Sequence, residues 1–221
     1  MFYSYAKRSL FKLKKTINDP FYLKRIQITL NFLFVLIMSK AFIMSKTLRP
    51  YLQHSPKIGE RVMLDESSVI IGQVELADDV GIWPMVTIRG DVNYIRIGAR
   101  TNIQDGSILH VASEMEHSPS GFPLIIGEEV TVGHGAILHG CQIGNRTLIG
   151  MGSRVLNGAI IEDNVMLGAG SLVGPGKRLE SGFLYLGNPA KKVRPLTEEE
   201  MAYFATSAKH YVKLKDNHMK S

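Results

Sequence analysis

The chain has 221 residues, enough for one large domain or two small ones, and 45% of them are hydrophobic, ample for a core. Its one cysteine excludes a disulfide framework and suits a reducing compartment, so a cytoplasmic location is expected. The net charge of +6 does not mark a nucleic-acid surface: residues 1–49 carry ten Lys/Arg against Asp19, +9, while the other 172 carry 16 basic and 19 acidic residues, −3.

In chain order, "YAKRSLFKLKK" (5–15) comes first and "IQITLNFLFVLIM" (26–38) follows, interrupted by Gln27, Thr29 and Asn31. The apolar run is too short for a membrane span, which takes about 20 residues. The basic part is long for a signal peptide, and no A-x-A-like cleavage site follows it. Residues 1–45 are therefore expected to form an appendage outside the fold, with "MSKTLRPYL" at Met44 as a natural beginning. Peripheral membrane contact through residues 1–43 is the alternative, and not the favoured one.

From Ile58 an aliphatic residue recurs every six positions: Ile58, Leu64, Ile70, Leu76, Ile82 and Ile88. The period resumes at Ile97, Ile103 and Leu109, pauses over "HVASEMEHSPSGFPLI", and returns at Ile126, Val132 and Leu138. After one five-residue step it runs from Ile143 to Leu179. The fifth position of each hexad is small or β-branched, as in Thr101, Ser107, Ala136 and Ser153. No helix follows a six-residue period, because 6 is far from a multiple of 3.6. Short strands with a bend every six residues do, and three of them close one triangular turn of a parallel β-helix whose turns stack about 4.8 Å apart. The pattern resembles the hexapeptide-repeat superfamily, which implies an all-β domain, a left-handed parallel β-helix, over residues 46–185.

Residues 186–221 are expected to add a strap and a C-terminal α-helix packed alongside. "LYLGNPAKKVRPL" (184–196) reads as irregular, and Thr197 with Glu200 makes a capping box. Met201, Phe204, Ala205, Ala208 and Val212 form an apolar stripe, and Lys209, Lys213 and Lys215 favour the far end of a helix of about 15–20 residues.

With three hexads to a turn, Ile70, Ile88, Leu109 and Leu138 share one face, and the pause after Leu109 is a loop between turns. Ile71, Arg89, His110 and His139 then form a column, so His110 and His139 are neighbours on adjacent rungs that can converge on one ion. His134, in "VGHGAILHG" (132–140), belongs to the preceding face. The path from it to His139 spans up to roughly 16 Å with a corner on the way, so the two diverge. A neighbouring subunit must bring its own His134, and three such sites predict a cyclic homotrimer. Cys141 is read as a small buried thiol rather than a fourth ligand.

"IRGDVNYIRIGARTNIQDGSILHV" (88–111), "VTVGHGAILHGCQIGN" (130–145) and "LYLGNPAKKVRPL" resemble the gamma-class carbonic anhydrase family, within it the YrdA-like branch, over about residues 46–216. The resemblance implies zinc, or ferrous iron, held by His110, His134 and His139 at trimer interfaces, and reversible hydration of carbon dioxide to bicarbonate by a metal-bound hydroxide. It gives Arg89 and Asp91 an ion pair that orients neighbouring subunits, for which ordinary interface pairing is the alternative. It places Asn102, Gln104 and Asp105 in an N-x-Q-D segment whose glutamine aligns the metal-bound water, and it puts Tyr185 near the site. Two glutamates of the best-known gamma enzymes stand here as Val92 and Ser113, which removes the proton relay and argues against fast turnover. Glu114, Glu116 and His117 of the inserted loop are the candidates to replace them. The rival expectations are a hexapeptide-repeat acyltransferase, with one histidine as general base, and a catalytically weak metal-binding trimeric scaffold.

Overall fold

The computed structural model of the chain describes residues 47–116 and 118–221. The expectations for the N-terminal extension, its membrane contact, the start at Met44 and His117 lie outside the described residues. The repeat folds into a parallel β-helix with three columns of short strands. One column pairs Leu48, Ile70, Ile88, Leu109, Leu138, Val155 and Val173 in order. The second runs from Ile58 through Ile97, Ile126 and Ile143 to Leu179, and the third from Leu64 through Ile103, Val132 and Ile149 to Tyr185. These aliphatic residues point inward and, between Ile70 and Val173, are essentially sealed from solvent. Burying each stabilises the prism by about 1.5–3 kcal/mol relative to leaving it in water.

The small fifth-position residues sit at the corners. Thr101, Ser107 and Ser153 are buried there, and each hydroxyl donates to a carbonyl of the next rung, at Gly127, Gly133 and Gly168. A larger side chain would displace both the corner and that hydrogen bond. From Ile82 onward the corner between the third and first faces turns through a left-handed residue on successive rungs: Met85, Gly106, Gly135, Gly152 and Gly170. Glycine adopts that conformation without a Cβ penalty, and the αL backbone re-aims the chain from one face to the next.

Two elements depart from the bare repeat. The strand Thr87–Ile97 carries extra residues between its two faces, and the loop after His110 is closed by an antiparallel bridge between Ala112 and Phe122. Asn93 ties them together, donating to Ala112 O at 3.1 Å and Ser120 O at 2.9 Å. After the last rung, Lys191–Pro195 turns back antiparallel on Phe183–Leu186, and helix α1 spans Glu198–His218. Thr197 and Glu200 form the expected capping box.

The helix is one residue longer than expected, at 21, and its buried face differs from the expected stripe. Phe204, Ser207, Ala208 and Lys215 are buried, whereas Met201 is exposed. Lys215 lies fully inside rather than as a solvated charge at the helix end: its ammonium is 2.6 Å from Asp216 and 3.5 Å from Asp79. The stem runs over Gly81, where a Cβ would come within 3.8 Å of it. A lysine can be buried when its head is paired and its stem replaces apolar packing. No helix among the described residues is long and apolar enough to cross a membrane.

Candidate metal centre

The column expected from the repeat is present: Arg89 pairs with His110, and His110 with His139, in register. The two imidazole centroids are 5.0 Å apart, and His110 Nδ1 faces His139 Nε2 at 3.0 Å. Each ring's other nitrogen has an oxygen partner. His110 Nε2 is 3.0 Å from Asp91 Oδ1, and His139 Nδ1 is 2.5 Å from Asn157 Oδ1. Arg89 donates to the second Asp91 oxygen at 2.5 Å, so arginine, aspartate, two histidines and asparagine form one chain of contacts.

The protons in that chain decide what the pair can do. Asp91 and the Asn157 carbonyl both accept, so each neutral ring spends its one N–H on them. The two nitrogens that face each other then both present lone pairs, an arrangement that repels unless a cation lies between them. Two nitrogens about 2.0–2.1 Å from one tetrahedral ion stand about 3.3 Å apart, close to the separation here. The donor set therefore fits a borderline-soft dication, with Asp91 and Asn157 fixing the tautomers of its ligands.

Burial pushes His110 below the ordinary histidine pKa, against the opposing hydrogen bond to Asp91, and so favours the neutral ring that metal binding requires. Asp91 is lowered overall: burial raises it, but the hydrogen bonds from Arg89 and His110 outweigh that. Burial pushes the Cys141 thiol up to about 12, in keeping with a small thiol packed in the core.

His134 stands apart from the pair. It occupies the corner between the third and first faces, its side chain is 52% exposed, and Asp105 Oδ2 holds its Nδ1 at 2.9 Å. Its Nε2 is left for another partner. Among the described residues no three His, Cys, Asp or Glu side chains of one chain converge as a ligand set. The division into two histidines plus one is what the repeat predicts for a single protomer.

Gln104 is buried and lines a cavity of about 370 Å³ with His134, Met151, Tyr203 and Tyr211, between the third face and α1. Its Nε2 donates to Asn102 Oδ1 at 3.1 Å. Tyr185, expected nearby, is not brought to the histidines. It takes the inward position above Leu167 and closes the core, and its hydroxyl accepts from the backbone N–H of Glu180 at 2.8 Å. Extending the hexad period one step beyond Leu179 reaches Tyr185, so this placement was available in the sequence. The tyrosines that do reach the cavity, Tyr203 and Tyr211, come from the helix and have no signature in the repeat. Asn157 escaped notice because it sits two residues past an inward position rather than one. Val92, Ser113, Glu114 and Glu116 are all exposed.

A three-faced parallel β-helix with this repeat defines the class of hexapeptide-repeat proteins, and a family model described as bacterial transferase hexapeptide (six repeats) matches residues 140–175. The chain is 64% identical over 176 residues to protein YrdA of Escherichia coli (strain K12), covering 80% of this chain and 96% of that one. It is 41% identical over 173 residues to gamma carbonic anhydrase 2, mitochondrial, of Arabidopsis thaliana, covering 78% and 62%. A crystal structure of a hexapeptide transferase family protein from Anaplasma phagocytophilum superposes with a TM-score of 0.72 at 39% identity, over 79% of this chain and 99% of that one. The chain belongs to the gamma carbonic anhydrase family, in the branch that contains YrdA.

Proposed function

We propose that this protein is a zinc-dependent carbonic anhydrase of the gamma class, assembled as a homotrimer and hydrating carbon dioxide to bicarbonate. One observation carries the reading: His110 and His139 face each other through two lone-pair nitrogens at 3.0 Å, with their outer nitrogens anchored. His110 and His139, with His134 of a neighbouring subunit, would hold a dication, which when bound would lower the pKa of water from about 15.7 to near 7. Asp91 and Asn157 fix the tautomers of the two rings and aim them. Asp105 does the same for His134, leaving its Nε2 free to reach across an interface. Gln104 has committed its N–H group to Asn102, so its Oε1 is the atom available to hold a hydrogen of the attacking water in position.

The trimer reading is supported by apolar residues left uncovered around the histidines. Ile108, 46% exposed, precedes His110 by two residues on the same strand. Met151, 57% exposed, sits on the corner rung above His134, where Gly152 N–H donates to His134 O. A second copy placed against this edge buries them. Val92 and Ser113 offer no carboxylate for proton export, so the turnover expected is low. Cytoplasmic location rests on the single buried thiol.

The decisive experiment combines metal analysis, oligomer mass and stopped-flow hydration on zinc- and iron-loaded protein. The expected result is one ion per subunit in a trimer, lost equally in His110→Ala and His134→Ala, with hydration above the buffer rate. A monomer that retains its ion would refute the shared site. The hexapeptide transferase description favours acyl transfer as the second reading. Turnover of an acyl-coenzyme A that survives loss of the metal would establish it. Metal and trimer without either activity would leave the scaffold.

A further inference from the structure

Behind Gln104 a line of buried polar side chains crosses from the β-helix into the C-terminal helix. Gln104 Nε2 donates to Asn102 Oδ1 at 3.1 Å, and Asn102 Nδ2 donates to Thr131 Oγ1 at 3.1 Å. Thr131 Oγ1 lies 3.0 Å from Ser207 Oγ on α1. Gln104, Asn102, Thr131 and Ser207 are only 5%, 2%, 6% and 5% exposed, so an unpaired polar group among them is costly.

Thr131 has one hydroxyl proton; either hydroxyl of its pair with Ser207 could be the donor, and while Thr131 receives the Asn102 amide, Ser207 is the acceptor in reach of that proton. Without the serine, the threonine proton is free to turn toward Asn102. Both carboxamides can then invert together, Asn102 presenting its oxygen to Thr131 and Gln104 presenting its NH2 group to the cavity. The carbonyl of Val130, 3.5 Å from Asn102 Nδ2, is too distant to prevent it. An acceptor facing the reacting water would become a donor, the wrong polarity for holding its hydrogen.

We propose that Ser207 and Thr131 are positioning residues that set the polarity of Gln104, so that α1 belongs to the site as well as to the scaffold. This rests on the role given to Gln104 above. The side-chain amides of Gln104 and Asn102 can be followed by 1H–15N spectroscopy in the full metal-free protein, independently of turnover. Ser207→Ala should shift or broaden both amide pairs, whereas Thr206→Ala, on the exposed side of the same turn, should leave them in place. In metal-loaded protein Ser207→Ala should lower kcat for hydration by about 10- to 100-fold at unchanged metal content. Thr131→Val, which keeps the shape and loses the hydroxyl, should do the same, and Thr131→Ser should restore both readouts. Gln104 and Asn102 signals in Ser207→Ala or Thr131→Val that superimpose on wild type would overturn the proposal. If the spectra change but the wild type hydrates no carbon dioxide, the positioning stands and the carbonic anhydrase reading fails.

Discussion

A neutral histidine has one proton to give, and at this site the destination of that proton determines what the ring can bind. Asn157 accepts from His139 Nδ1 at 2.5 Å, and so keeps the lone pair on Nε2, facing His110. Removing that acceptor frees the ring to rotate or to change tautomer. Asn157→Ala is therefore expected to weaken metal binding by about 10- to 100-fold, the usual cost of losing such an outer partner. Chelator competition measures it, and an unchanged affinity would show that the asparagine is incidental. The histidine column could be read from the spacing of the repeat. Asn157 could not, because the position two residues past an inward one carries no periodic mark and the contact exists only once two rungs are stacked.

At the scale of elements, α1 depends on its first turn. Arg194 forks onto both Glu200 oxygens at 2.7 Å, and Glu200 also closes the capping box on Thr197. The Arg194 hydrogen bonds, then the Thr197 N–H, hold the Glu200 carboxyl down at about 2. A carboxyl lowered on folding contributes its stability in full above its ordinary value near 4.5, and loses it as the pH falls toward about 2. The melting-temperature difference between wild type and Glu200→Gln should thus be present at pH 5–7 and close between pH 4.5 and 2. A difference that persisted in acid would mean that shape, not charge, matters there. Thr197→Ala should cost about 1 kcal/mol in denaturant melts at neutral pH. The capping box was legible in four residues of sequence, and so were Phe204 and Ala208 on the buried side of the helix, but Ser207 and Lys215 there were not. Lys215 goes inside because Asp79, 136 positions earlier, is there to meet it.

On the scale of the whole molecule, the proposed metal site is divided between protomers. His110 and His139 share a face, while His134 points outward from a corner among exposed apolar side chains. Ile108→Asp places a charge on that surface without touching the core. It is expected to give folded monomers that no longer retain metal, read by light scattering and metal analysis. Trimers that persist in this variant would place the interface elsewhere.

The hexad period by itself determined the parallel β-helix, the inward residues and the register of the two histidines, because a repeating backbone turns position in the chain directly into position in space. Tyr185, which the resemblance put near the site, takes an inward position beside Leu167 in the core. Only the tertiary structure decided the partners of the site: Asp91 and Asn157 on the rings, Asp105 on His134, and Ser207 reaching Gln104 through Thr131 and Asn102. Those contacts join a corner, a bulged strand and a helix outside the repeat. Their geometry follows from how the pieces pack, which no periodicity encodes.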